Sequence, residues 1–228
     1  MTTVTPHWKL RRLAPRAIRV VGRRAMESAV IASYTQTTIV KAKAYIAAYD
    51  LSVKFGINYK KEMEEGRSAI AVLLKLIQSW APALKRDVPG FDGSVYGDQP
   101  QVPDDVIEDG ERMVSVIDEY KDGQGNPLTY RQAALDAFGP VLQAAVKEWG
   151  EAEAADSEYQ RLLASVRSLA DDLQRDLVAL RRSLLAVVGR ADKDYQKLRA
   201  ERAGVPDEED DPNGPTPPKP VEAAPAAS

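Results

Sequence analysis

The chain has 228 residues, 44% of them hydrophobic and 29% charged, with a net charge of −3 at neutral pH. It contains no cysteine and one histidine, His7. Disulfides, thiol nucleophiles, thiolate metal sites and two-histidine metal sites within one chain are therefore excluded. The balance of charge selects no single class of partner, but its distribution is uneven. Residues 1–26 hold Lys9, Arg11, Arg12, Arg16, Arg19, Arg23 and Arg24 and no acid, whereas residues 204–228 hold Asp207, Glu208, Glu209, Asp210, Asp211 and Glu222 against Lys219.

Residues 1–14 read as a basic arm. Pro15 predicts a helix start, because proline is favoured at the first helical position. From there to about Val53, residues Val21, Ala25, Ser28, Ala32, Thr35, Ile39, Ala42, Ile46, Tyr49 and Val53 step by three and four, with small residues that favour close helix packing. Gly56 and Asn58 mark a break or a bend. A second register follows in Tyr59, Met63, Gly66, Ile70, Leu73, Ile77, Trp80 and Leu84, widened by Val72, Leu74 and Leu76. A face this wide suits a bundle of three or more helices better than a two-stranded coil. Pro82 is expected to end or kink this helix.

Residues 85–103 carry Pro89, Gly90, Gly93, Gly97, Pro100 and Pro103 and read as an irregular loop. Asp104 is a candidate cap for a short helix over 105–121 with Val106, Met113, Val114, Ile117 and Tyr120 on its apolar side. The run from Asp122 to Pro127 is a stop and turn. Asp118 and Asp122 open a calcium-loop-like pattern, but Tyr120 stands at a ligand position and Thr129 where a bidentate glutamate belongs, so that reading fails.

Thr129 with Gln132 forms a capping-box pattern that opens a long helix over 129–203. Its stripe runs through Leu135, Phe138, Leu142, Ala145, Trp149, Ala152, Tyr159, Leu162, Val166, Leu169 and Leu173, then Leu177, Leu180, Leu184, Val187, Ala191, Tyr195 and Leu198. A single helix of ~60–70 residues would span on the order of 100 Å. Gly139 and Pro140 predict a kink, and Gly150 offers an alternative break. Such a stripe needs a long partner, from this chain or from another copy. Past Ala203 the acidic, Pro- and Ala-rich remainder reads as a disordered tail.

The expected fold is all-α: an elongated helical bundle or long antiparallel helical hairpin with coiled-coil character. The helical domain covers 15–203. Nothing in the sequence forms a nucleotide loop. The acidic pairs 64–65, 104–105, 108–109 and 171–172 sit on adjacent helical positions and do not converge. Asp171, Arg175, Asp176, Arg181 and Arg182 read as surface ion pairing. No catalytic, cofactor or metal site is therefore expected, and no small-molecule substrate.

The leading expectation is a non-enzymatic structural or assembly subunit, a homo-oligomer. Its association face is Leu162, Val166, Leu169, Leu173, Leu177, Leu180 and Leu184. The alternative is a peripheral membrane-binding or membrane-remodelling protein. Residues 8–26 place Trp8, Lys9, Arg11, Arg12, Arg16, Arg19 and Arg23 against an apolar side of Leu10, Leu13, Ala17, Ile18, Val21 and Ala25, a pattern that suits an interfacial helix on an anionic surface. Nonspecific nucleic-acid binding through the same arginines is the third reading. With no apolar run of about 18–20 residues and no apolar signal-peptide core, the expected location is cytoplasmic or within a macromolecular assembly.

Overall fold

A periodicity of three and four carried through most of the chain leaves helices as the only regular structure that buries its apolar residues. The computed structural model describes residues 6–91 and 102–199. Of these, 85% are helical and none forms a strand. Six helices follow in order: α1 (His7–Arg24), α2 (Ala29–Ala32), α3 (Tyr34–Asp87), α4 (Pro103–Glu119), α5 (Arg131–Val188) and α6 (Lys193–Lys197). No helix among the described residues is long and apolar enough to cross a membrane. The expected disordered tail, and most of the expected loop over 85–103, lie outside the described residues.

The chain divides into two compact units. The first comprises residues up to Ser52 together with those from Leu162 onward. In it, α3 and α5 run antiparallel: Tyr34 meets Ser183 at 2.9 Å and Lys41 meets Asp176 at 2.9 Å. Helix α1 packs against both, and its Leu10, Leu13, Ala14, Ala17, Val20 and Val21 join Ile31, Ala42, Tyr45, Leu173, Leu177, Leu180 and Leu184 in one core. The second unit spans Val53–Arg161. There too α3 and α5 run antiparallel, with Tyr59 stacked on Tyr159 at 4.9 Å. Helix α4 is the third member, and Met113 and Ile117 share a core with Leu73, Ile77, Leu84 and Phe138. Each unit thus has the third helix that the wide apolar faces call for.

Several boundaries differ from the sequence reading. Helix α1 begins at His7, within the segment read as an arm. The Tyr45 hydroxyl donates to the His7 carbonyl at 2.9 Å, tying the helix start to the core, and Pro15 sits inside the helix. The first break comes at 25–28, not at Gly56, and α3 runs unbroken through Gly56 and Gly66. Those glycines mark close approach instead. A Cβ on Gly56 would lie 3.2 Å from the Tyr159 hydroxyl, and one on Gly66 3.0 Å from the Ala152 Cβ.

Pro82 and Pro140 also lie inside continuous helices. The bonds they remove would have served the carbonyls of Gln78 and Asp136, both exposed residues. Helix α4 starts at Pro103 in the first position, with Asp104 and Asp105 in its first turn, so Asp104 is not its cap. Helix α5 starts at Arg131, two residues past Thr129, and Gln132 donates to Asp136 at 2.8 Å instead of reaching back to a cap. The same helix stops at Val188, because Gly189 takes φ +81 and donates to the Leu185 carbonyl, a left-handed end. The stripe leaves its register there: Val187 is exposed, while Leu198 is buried through α6.

Candidate functional site

The seven residues expected to form an association face are covered from within the chain. Val166, Leu173, Leu177, Leu180 and Leu184 are at most 4% exposed, and Leu162 and Leu169 are half-buried. All but Leu162 share one core with residues of α1 and α3 of the same unit. A stripe only states that a partner is needed, and here the basic N-terminal helix supplies it. This corrects the assignment of that face to a second copy.

The basic segment is likewise engaged. Arg11 clasps Asp50 with two hydrogen bonds of 2.9 and 3.0 Å. Arg12 and Lys9 lie 5.8 and 5.4 Å from the Trp8 ring centroid. Arg16 is buried, Arg19 half-buried, and Arg23 pairs with Asp194 at 3.1 Å. Arg24 holds Asp194 at 2.6 Å, Asp192 at 2.8 Å and Glu27 at 2.7 Å. Hydrogen bonds to Glu27 and Asp194 push its guanidinium still further from deprotonation. An interfacial helix needs its apolar side free for the headgroup boundary. On α1, Leu10, Leu13, Ala17 and Val21 are buried in the core, so the folded unit offers no such side.

Two surfaces that the sequence reading did not single out stand out in the first unit. One is the outward side of α3. Thr37, Val40, Ala44, Ala47 and Leu51 step by three, four, three and four, and all are exposed. Val40 and Leu51 are 55% and 51% exposed. The inward side of this stretch is Thr38, Ala42, Tyr45 and Ser52, all buried, and Ile39, Ile46 and Val53 form a third, half-buried row. The outward row is apolar apart from Thr37 and is flanked by the exposed polar residues Gln36, Lys43 and Lys54, so this stretch leaves a strip of apolar surface open to solvent. Residues 34–53 contain only Lys41, Lys43 and Asp50 as charges, and Lys41 and Asp50 are held in ion pairs. That scarcity of charge was the available signal in the sequence.

The other surface is an open concavity of about 440 Å³ lined by Val178, Arg181, Arg182, Leu185, Arg190, Tyr195 and Arg199. Val178, Arg181, Arg182 and Leu185 share one face of α5 through their helical spacing. Gly189 then turns the chain, and α6 returns Tyr195 and Arg199 to the same place. The surface ion pairing expected here is arranged differently. Arg175 pairs with Asp172, Asp176 with Lys41, and Arg181 Nε donates to the Leu177 carbonyl. Among the described residues, no group of three or more His, Asp or Glu side chains could hold a metal ion.

The fold and these surfaces define an all-helical protein built from antiparallel helices. Comparison with family models, curated proteins and solved structures finds no match to the chain.

Proposed function

We propose that this chain is a non-enzymatic assembly subunit whose copies associate through the outward face of α3. The observation that carries the reading is the exposed row Thr37, Val40, Ala44, Ala47 and Leu51 on the outward side of α3.

A second copy suits this seam because its spacing is close to palindromic. Thr37 and Leu51 lie seven residues either side of Ala44. Crossed antiparallel about a two-fold axis at Ala44, Leu51 meets Thr37 and Val40 falls opposite Ala48 with Ala47 beside it, large against small, as interdigitating layers require. Alanine at the axis lets the two backbones approach closely. Coiled-coil character belongs to this contact between copies, and the buried stripe of α5 serves the subunit's own core.

The test is absolute mass by light scattering after size exclusion, at low and high salt. The expected result is a two-fold particle of about twice 25.0 kDa that survives high salt, since the contact is apolar. Val40→Glu combined with Leu51→Glu is expected to halve that mass with unchanged far-ultraviolet dichroism, because both positions are exposed. A wild-type monomer at about 100 µM, a concentration where even weak specific interfaces are populated, sinks the reading.

A further inference from the structure

A solvated turn between helices calls for polar residues, yet one end of the first unit puts apolar side chains on its turns. Met26 stands in the turn between α1 and α2 and is 95% exposed, more than any other large hydrophobic among the described residues. Val30 on α2 is 54% exposed and Val187 in the last turn of α5 is 47% exposed. The contacts Tyr34 to Ser183 and Lys41 to Asp176 fix the antiparallel register of α3 and α5. Carried one turn past Tyr34, that register sets Val30 level with Val187. Arg24 ties the two turns together, holding Glu27, next to Met26, on one side and Asp192 and Asp194 on the other. Ala29, Ala186 and Ala191 are exposed at the same end.

We propose that this end of the unit docks on a lipid bilayer with anionic headgroups, with Met26, Val30 and Val187 entering the headgroup boundary. Two observations select lipid over a second copy. The first is area. A specific contact between proteins takes about 800 Å² from each partner, and six apolar residues, three of them alanines, fall short of that. A bilayer needs only a few inserted side chains, and a flexible methionine on a protruding turn suits its irregular interior. The second is charge. The acids at this end, Glu27, Asp192 and Asp194, are all held by Arg24 or Arg23. Arg190 and Lys193 flank the same turn, are exposed, and form no ion pair with a described residue. Cations set around an apolar tip match an anionic leaflet. This docking is end-on through turns, so α1 keeps its apolar side in the core. It goes beyond the contact through α3 and does not rest on it.

The experiment uses the full chain and sedimentation with vesicles, either phosphatidylcholine alone or phosphatidylcholine and phosphatidylserine in equal amounts. The expected result is sedimentation with the mixed vesicles at low salt, weakened at high salt. Met26→Glu combined with Val30→Glu is expected to weaken it by about tenfold or more, and Arg190→Glu with Lys193→Glu to do the same. Since the chain has no cysteine, Met26→Cys supplies a unique thiol for a nitrobenzoxadiazole label. That label is expected to brighten and shift to the blue on the mixed vesicles. The same label on Ser165→Cys, exposed on α5 and about 33 Å along the helix from Val187, is expected to stay unchanged. Absence of sedimentation with either vesicle overturns the proposal, as does full sedimentation of the Met26→Glu, Val30→Glu variant. Equal sedimentation with phosphatidylcholine alone overturns the anionic partner, and equal brightening at both labels overturns docking by this end. A lower particle mass in the Met26→Glu, Val30→Glu variant makes the tip a contact between copies and overturns lipid as its occupant. Retained sedimentation of the Val40→Glu, Leu51→Glu variant supports the tip whatever becomes of the contact through α3, and its loss overturns the independence of the two.

Discussion

Gly66 and Gly150 are both interior glycines of long helices, and their surroundings set opposite expectations for alanine. At Gly66 a Cβ would lie 3.0 Å from the Ala152 Cβ, 3.2 Å from the Glu148 carbonyl oxygen and 3.3 Å from the Trp149 ring. Neither a backbone carbonyl nor a packed Cβ yields cheaply, so Gly66→Ala is expected to cost about 1–3 kcal/mol by overpacking. At Gly150 nothing lies within 4 Å, so Gly150→Ala should stabilise by about 0.5–1 kcal/mol through helix propensity and lost unfolded-state entropy. Urea midpoints at constant slope measure both, and like signs would contradict this account.

Two aspartates give opposing pH behaviour. Burial raises the Asp109 carboxyl above its usual range, with Arg112 at 3.6 Å offsetting only part of that. Its charge therefore opposes folding above the raised value, and the effect disappears once pH falls below the ordinary carboxyl range near 4. Asp109→Asn is expected to raise the melting temperature at pH 7 and to leave it unchanged near pH 3. Asp122 is the reverse. Its Oδ1 accepts from the backbone N–H groups of Asn126 and Gln124 at 2.8 and 2.9 Å, which hold its carboxyl below the usual range. The stability it adds is complete above the ordinary value and is lost as pH falls through the lowered one. Asp122→Asn should therefore destabilise at neutral pH and lose its effect in acid.

At the scale of an element, α1 is the piece whose role changed most between pattern and packing. Its apolar residues fill the core of the first unit, and its last turn is anchored to α6 through Arg23, Arg24, Asp192 and Asp194. Asp194 is buried at 4% exposure, and removing Arg24 leaves Arg23 as its remaining cationic partner at 3.1 Å. Arg24→Ala is expected to destabilise by about 1–3 kcal/mol, and the double change with Asp194→Ala should recover part of that loss in a thermodynamic cycle. The stripe of α5 makes a parallel case. Leu180 is fully buried, so Leu180→Ala should cost about 2–5 kcal/mol, and a charged residue there should unfold the unit. A folded protein that changes only its oligomeric mass would return that stripe to the role of an interface.

At the scale of the whole molecule, two apolar rows have to be told apart: the covered one on α5 and the open one on α3. Stability and mass separate them. Substitution at Leu173 or Leu180 is expected to move the melting temperature, because both are buried, whereas substitution at the exposed Val40 or Leu51, on the proposed contact, is expected to move the particle mass. The charge asymmetry noted along the chain also acquires a different meaning. The arginines near the N-terminus are drawn into internal pairs such as Arg11 with Asp50. The arginines that line an open surface are Arg181, Arg182, Arg190 and Arg199, near the acidic stretch in sequence and far from the other basic cluster.

Secondary structure was legible in the sequence because periodicity is a local property. The three-and-four spacing from Leu135 to Leu184 specified a helix, the turn from Asp122 to Pro127 stood in its residue types, and wide apolar faces implied three helices together. Tertiary structure alone decided which helix covers which stripe, since an apolar row states that a partner is needed and never which one. It turned Gly56 from an apparent break into a point of helix contact, because a glycine permits a bend and a close approach equally well. It drew the basic N-terminal segment into the core, because amphipathicity is the same for a helix against lipid and a helix against protein. The outward face of α3 and the arginine concavity were hidden for the same reason: exposure and convergence come from how helices distant in sequence are brought together.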